Sequence, residues 1–269
     1  MPVVEQLDLF SVSTGSAQRD APGRRTDPVI ACDTLDDDSL LAAIPNAGIR
    51  ESVALVAEAG SRRLAAAIPV LEALCRRFAG FGAARIVPEQ AAALDALVMI
   101  GGSDAAQTLV RLIAKRIVQG PCLRQAVAAA ARMGIKLPFG TVAELLRHDD
   151  PQVRADACRC TRASPEAVPL LRELLDDLHP EVRRAAACAL GHMGRAEVRA
   201  LLVGYLRAEP SVELVDAIAP IADDECIILL GRVARTEPRF SEAALDALLS
   251  IGNTRADQVA AAVSRNRSG

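Results

Sequence analysis

Residues 180–194 read PEVRRAAACALGHMG, and this stretch sets the period of the chain. Pro180 opens it, small residues fill its middle, and Gly194 closes it. Proline suits the first turn of a helix, where its missing N–H would have no partner anyway. Glycine just past the last turn takes the left-handed conformation that ends a helix. Related versions recur from about residue 49 to residue 252. Their ends read ALVAEAG (54–60), DALVMIG (95–101), AAAARMG (128–134), CALGHMG (188–194), DAIAPIA (216–222) and DALLSIG (246–252). One position near each end reads as alanine: Ala54, Ala96, Ala129, Ala189, Ala217 and Ala247. A fixed alanine predicts close approach of one helix to the next.

The starts agree. Pro88, Pro121, Pro151, Pro180, Pro210 and Pro238 each open one of these helices, at intervals close to 30 residues after a longer first one. Between them lie segments whose apolar residues recur at three and four: 65–78, 105–118, 141–148, 166–177, 196–208 and 224–236. Two helices per period of this length predict an all-α, right-handed α-solenoid of about six to seven helical hairpins. Residues 39–265 form it, with Ser39 or Asp38 as the first N-cap and 254–265 as a capping helix. The 151–163 copy is irregular, since either Cys160 or Ala157 occupies the alanine position and no glycine closes it. Residues 1–38 read as a flexible tail, because SVSTGSAQRDAPGRRTDP (11–28) is polar and aperiodic. Residues 266–269 form a short C-terminal tail.

Composition narrows the function. The 269 residues are 51% hydrophobic with no Trp and one Tyr, so the core is built of Ala, Leu, Val and Ile. A formal net charge of −3 gives no basis for non-specific binding of nucleic acid or anionic membrane. Seven cysteines, an odd number without C-x-x-C, fit a reducing, cytoplasmic setting. No secretory signal or membrane span is legible, and a soluble protein is expected.

The repeat resembles HEAT repeats of the short type named after phycobilisome lyases, whose unit is D-P-x-V-R-x-x-A-A-x-A-L-G-x-I-G followed by A-V-P-x-L. Pro180-Glu181-Val182-Arg183 through Gly194 matches it, as do Asp150-Pro151-Gln152-Val153-Arg154 and the starts Ile68-Pro69 and Val168-Pro169. The resemblance covers about residues 39–265. It implies that the second helix of each hairpin lines a concave face, with the residue before the fixed alanine toward solvent. That residue is Asp95, Asp216 or Asp246 in three repeats and Val53, Ala128 or Cys188 in others, and Asp156 joins under one alignment. Two readings follow: a solvated face that keeps the solenoid soluble, or an acidic groove for a basic segment of a protein partner. The family arginines Arg154 and Arg183 are expected to pair with acidic residues between neighbouring repeats.

Outside the repeats, Gln6-Leu7-Asp8-Leu9-Phe10 resembles the bacterial sliding-clamp-binding peptide, Q-L-S/D-L-F, at every position. The resemblance implies that Gln6 bonds at a pocket rim, Leu7 packs alongside, and Leu9 and Phe10 fill the pocket, with Asp8 at the variable position. Two apolar anchors on a tether supply most of such a binding energy. The competing reading folds Leu7, Leu9 and Phe10 onto the first repeat.

Signals for catalysis are sparse. His148, His179 and His192 have no metal-ligand partner at helical spacing. Cys158 and Cys160, two residues apart on a helix, point to different faces. A glycosylase-like HEAT enzyme needs aromatic rings and a basic face, and a lyase-like one has no recognisable site here. The segment 80–90, flanked by Phe78 and Phe81, reads as a satellite core under a long loop, with a binding lip as the alternative. The expectation is a non-enzymatic scaffold or adaptor with no metal or cofactor. Its partners are proteins, among them the sliding clamp, with no direct contact to nucleic acid or membrane. The alternatives are a HEAT-like enzyme or DNA-binding solenoid, and a HEAT module unrelated to DNA.

Overall fold

A computed structural model describes residues 32–161 and 164–267. Among these residues there are fifteen α-helices and no strand. Fourteen pair into seven hairpins: α1 (Asp37–Ala43) with α2 (Ile49–Ser61), α3 (Ile68–Arg77) with α4 (Pro88–Ile100), and α5 (Gly102–Ala114) with α6 (Gly120–Arg132). Then follow α7 (Phe139–Leu145) with α8 (Pro151–Arg159), and α9 (Val168–Glu173) with α10 (Pro180–His192). The last are α11 (Arg199–Ala208) with α12 (Val212–Ile218), and α13 (Asp224–Thr236) with α14 (Ser241–Ile251). The final helix, α15 (Thr254–Arg267), packs on α13 and α14. Each second helix lies on the second helix before it, from α2·α4 through α12·α14. This is a HEAT-like helical solenoid, in which stability is a sum over neighbouring interfaces. Its core is continuous and consists almost wholly of Ala, Leu, Val and Ile.

The local signals act where caps are local. Pro88, Pro151 and Pro180 are the first residues of α4, α8 and α10, and Pro121 sits in the first turn of α6. Pro210 and Pro238 instead lie just outside their helices. Ser211 caps α12 by accepting from the Leu214 N–H, and Pro238 starts a 3-10 turn that leads into α14. Gly134 and Gly194 close α6 and α10 with φ of 65° and 71°. In both, the next N–H reaches back to the last turn, Ile135 to the Ala130 carbonyl at 2.9 Å and Arg195 to the Leu190 carbonyl at 3.1 Å.

The first repeat departs from its sequence alignment. Gly60 does not close α2; it is buried inside the helix, and Ala54 is exposed. A Cβ at Gly60 would lie 2.9 Å from the Ala96 Cα and 2.6 Å from the Met99 Cε, so glycine is needed there for α2 to meet α4. The left-handed closing residue is Arg63, φ 54°, with Leu64 N–H returning to the Ala59 carbonyl at 3.1 Å. At the start of the solenoid, Asp36 rather than Ser39 or Asp38 caps α1, accepting from the Ser39 N–H at 2.8 Å. Residues 32–35 then lie against α2, where Arg62 donates to the carbonyls of Cys32, Asp33 and Leu35.

Arginines join the repeats. Arg154 of α8 makes a two-pronged ion pair with Asp177, which precedes α10, at 2.9 and 3.0 Å. The two side chains are only 14% and 8% exposed. Burial would push the Asp177 carboxyl up, but Arg154 and the His179 N–H hold it below the usual carboxylate range. Arg183 does not mirror this pairing. It donates to the carbonyls of Asp177 and Leu178 and ties down the turn before its own helix. Glu72 of α3 accepts from Arg111 of α5 at 2.7 Å and from Arg76 at 2.6 Å, and Arg111 first, then Arg76, bring its carboxyl down to about 2 against the effect of burial.

Candidate functional site

The face built by the second helices gathers the candidate residues. Asp95 on α4, Asp216 on α12 and Asp246 on α14 are all exposed. Asp95 accepts from Gln125 Nε2 of α6 at 2.8 Å, which links two neighbouring second helices. Asp216 and Asp246 form no ion pair among the described residues. The row is therefore acidic on both sides of its middle.

The middle is different. Cys188, expected toward solvent, is 1% exposed. Cys188 lies in the buried run Ala185–Gly191 of α10, and Arg159 at the end of α8 acts on it. Its guanidinium holds Asp156 on its own helix at 2.8 Å and Glu213 on α12 at 2.8 and 3.2 Å. The pair spans α10, whose central residues are alanine and cysteine and leave room for the long arginine side chain. Glu213, Arg184 and Arg159 all lie close enough to the Cys188 thiol to act on it. Burial pushes that thiol up to about 12, which suppresses the thiolate and its nucleophilicity. Burial alone would lower the Arg159 guanidinium, but Glu213 and Asp156 more than compensate and keep it charged. Asp156 is raised by its burial, and Arg159 offsets part of that. The irregular α8 thus contributes Asp156 to the row with Ala157 fully buried behind it, while Cys160 is buried at the helix end.

Sequence spacing gave no sign of the Arg159–Glu213 strap. Its ends are two repeats apart, and no local pattern links them. The segment after α3 also differs from expectation. Phe78 packs against the core, but Phe81 is 72% exposed and Ile86 60% exposed, so this segment projects two apolar side chains rather than covering a satellite core. Its backbone is held in place: a Cβ at Gly120 would lie 2.4 Å from the Gly82 and Ala83 carbonyl oxygens.

No disulfide joins any of the cysteines among the described residues. Among the described residues, no three His, Cys, Asp or Glu side chains converge as a metal site, and no helix is long and apolar enough to cross a membrane. Gln6, Leu7, Asp8, Leu9 and Phe10 lie outside the described residues.

The fold and this face define the class, a helical-repeat solenoid with a continuous surface of second helices. Residues 140–222, from α7 to the turn after α12, match the family model for HEAT repeats. The hairpins on either side of that stretch continue the same stacking. No curated protein matches the chain.

Proposed function

We propose that the chain is a non-enzymatic protein-interaction scaffold of the short HEAT type. Gln6–Phe10 tethers it to the bacterial DNA sliding clamp, and its second-helix face takes a further protein of DNA replication, repair or mobile-element maintenance. The observation that carries the clamp assignment is the agreement of Gln6-Leu7-Asp8-Leu9-Phe10 with the clamp-binding pattern at every position. Support for the scaffold comes from the HEAT repeats and from the row formed by Asp95, Asp216 and Asp246. Exposed carboxylates attract a basic polypeptide segment and repel the phosphate backbone of a nucleic acid.

The test is calorimetric titration of a purified bacterial sliding clamp with the full chain. The triple variant Gln6→Ala, Leu9→Ala, Phe10→Ala removes the rim contact and both anchors. Anchors of this kind contribute about 2 kcal/mol or more each, about 4 kcal/mol for the two, so the variant weakens binding by a factor of about a thousand. Equal binding by the two proteins, or none by either, removes the clamp from the account.

A further inference from the structure

α15 occupies the place of a first helix. It packs on α13 and α14 in the way that α5 packs on α3 and α4. The contact with α13 is close, since a Cβ at Gly231 would lie 2.4 Å from the Val259 Cγ1. Every second helix from α4 to α14 sits against the preceding second helix and its own first helix. A second helix belonging to α15 would therefore lie against α14 and α15. At that place a groove of about 590 Å³ opens between these two helices.

The groove has the chemistry of a helix seat. α14 contributes Leu245 and Leu249, and α15 contributes Ala260 and Ala261. On α14 the lining positions fall at 242, 245, 246 and 249, and on α15 at 257, 260, 261 and 264. Both sets have the spacing of one helical face, so two parallel stripes confront each other. Leu249 is 59% exposed, an apolar side chain with no cover among the described residues. Glu242, Asp246 and Asp257 stand along the groove, and among the described residues no lysine or arginine lines it. Arg255, nearby on α15, is already paired with Asp224 of α13.

The geometry points to this groove as the docking site for an amphipathic α-helix of a protein partner, with a leucine/alanine-sized apolar stripe flanked by lysine or arginine. The small floor residues admit close approach, Leu249 and Leu245 supply the apolar contact, and the three carboxylates select a basic partner over an acidic one. The inference rests on the scaffold reading but not on the clamp, because Gln6–Phe10 takes no part in the groove.

The test uses the full chain and a fluorescein-labelled amphipathic Leu/Lys helical peptide, followed by fluorescence anisotropy. A Leu/Glu peptide of the same pattern is the charge control. The Leu/Lys peptide binds the wild type at least about tenfold more tightly than the Leu/Glu peptide does. Leu249→Arg weakens Leu/Lys binding by about tenfold or more, and so does Ala261→Arg on the opposite wall. Both positions are exposed, and an unchanged far-ultraviolet circular dichroism spectrum checks the fold. Glu173→Lys, a charge reversal on the exposed first helix α9, outside both the groove and the second-helix row, leaves binding within about twofold. Equal weakening by Glu173→Lys and Leu249→Arg would show bulk charge attraction and overturn the site. A dimer of the wild type in sedimentation velocity that Leu249→Arg dissociates would also overturn it, by assigning the groove to a second copy of the chain. Loss of clamp binding in the titration above leaves these results unchanged, so the two failures are distinguishable.

Discussion

Gly191 lies in the middle of the PEVRRAAACALGHMG stretch, and replacing it with alanine sets two effects of known sign against each other. Inside a helix the change gains about 1 kcal/mol of intrinsic propensity. Packing opposes it. A Cβ at Gly191 would lie 2.5 Å from the Ala217 carbonyl oxygen and 2.7 Å from the Leu202 Cδ1. The leucine tip can turn aside, but the Ala217 oxygen belongs to the backbone of α12. Relief requires α10 and α12 to separate by about 1 Å at an interface packed like a crystal interior. Overpacking of this kind costs about 1–3 kcal/mol, occasionally more, and backbone displacement places it at the upper end. The net expectation is a loss of about 1–2 kcal/mol. Gly204 is the internal control, because it sits in α11 with nothing within 4 Å of its Cβ position. Gly204→Ala keeps the propensity gain and raises stability by about 0.5–1 kcal/mol. Urea unfolding followed at 222 nm reads both, and the midpoints move in opposite directions. At this chain length each kcal/mol corresponds to about 2–4 °C in Tm. A Gly191→Ala protein as stable as the wild type, or more so, would refute the claim that backbone contact between α10 and α12 requires glycine.

Three further outcomes follow from the same contacts. Arg63→Gly relieves a left-handed non-glycine residue at the end of α2 and raises stability by about 0.5–1 kcal/mol in urea unfolding, net of the added freedom of the unfolded chain. Arg154→Ala leaves the largely buried Asp177 without its ion-pair partner and costs about 3 kcal/mol, read as a fall in the urea midpoint at pH 7. Glu72, lowered to about 2 from an unfolded value near 4.5, contributes stability that is present above pH 4.5 and is lost as the pH falls through about 2. Its partners Arg76 and Arg111 are 45% and 41% exposed, so screening reduces the contribution to about 1 kcal/mol. Glu72→Gln is thus less stable by that amount at pH 7, and the two stability curves converge toward pH 2.

Much of the fold was legible because helix ends are local events. Proline in a first turn and glycine past a last turn act within a few residues, so Pro88, Pro151, Pro180, Gly134 and Gly194 marked their helices from sequence alone. Gly60 misled because glycine has two uses. It can close a helix, or it can let a neighbour come close, and only the position of Ala96 in space decides between them. Asp95, Asp216 and Asp246 are exposed, and exposure at such positions depends on the helix and its immediate neighbours. Cys188, at the equivalent alignment position, is buried in α10 near the Arg159–Glu213 pair that joins other repeats. Phe81 departs from expectation because its loop is anchored at Phe78, Val87 and the Gly82–Gly120 contact, none of which needs Phe81 to be buried. The groove between α14 and α15 was not legible at all. Leu249 and Ala261 are ordinary in sequence, and their opposition exists only once α15 is seated on α13.

Hydrogen–deuterium exchange of the full chain, alone and with saturating sliding clamp, tests the central claim most directly, that the chain is a scaffold which grips one protein by its tail and keeps its solenoid surface for another. The account predicts slowed exchange confined to residues 6–10 and their immediate neighbours, with the exchange of α2 through α15 unchanged. Protection that appears instead along the second helices, or no protection at residues 6–10 in a complex that forms, would contradict it.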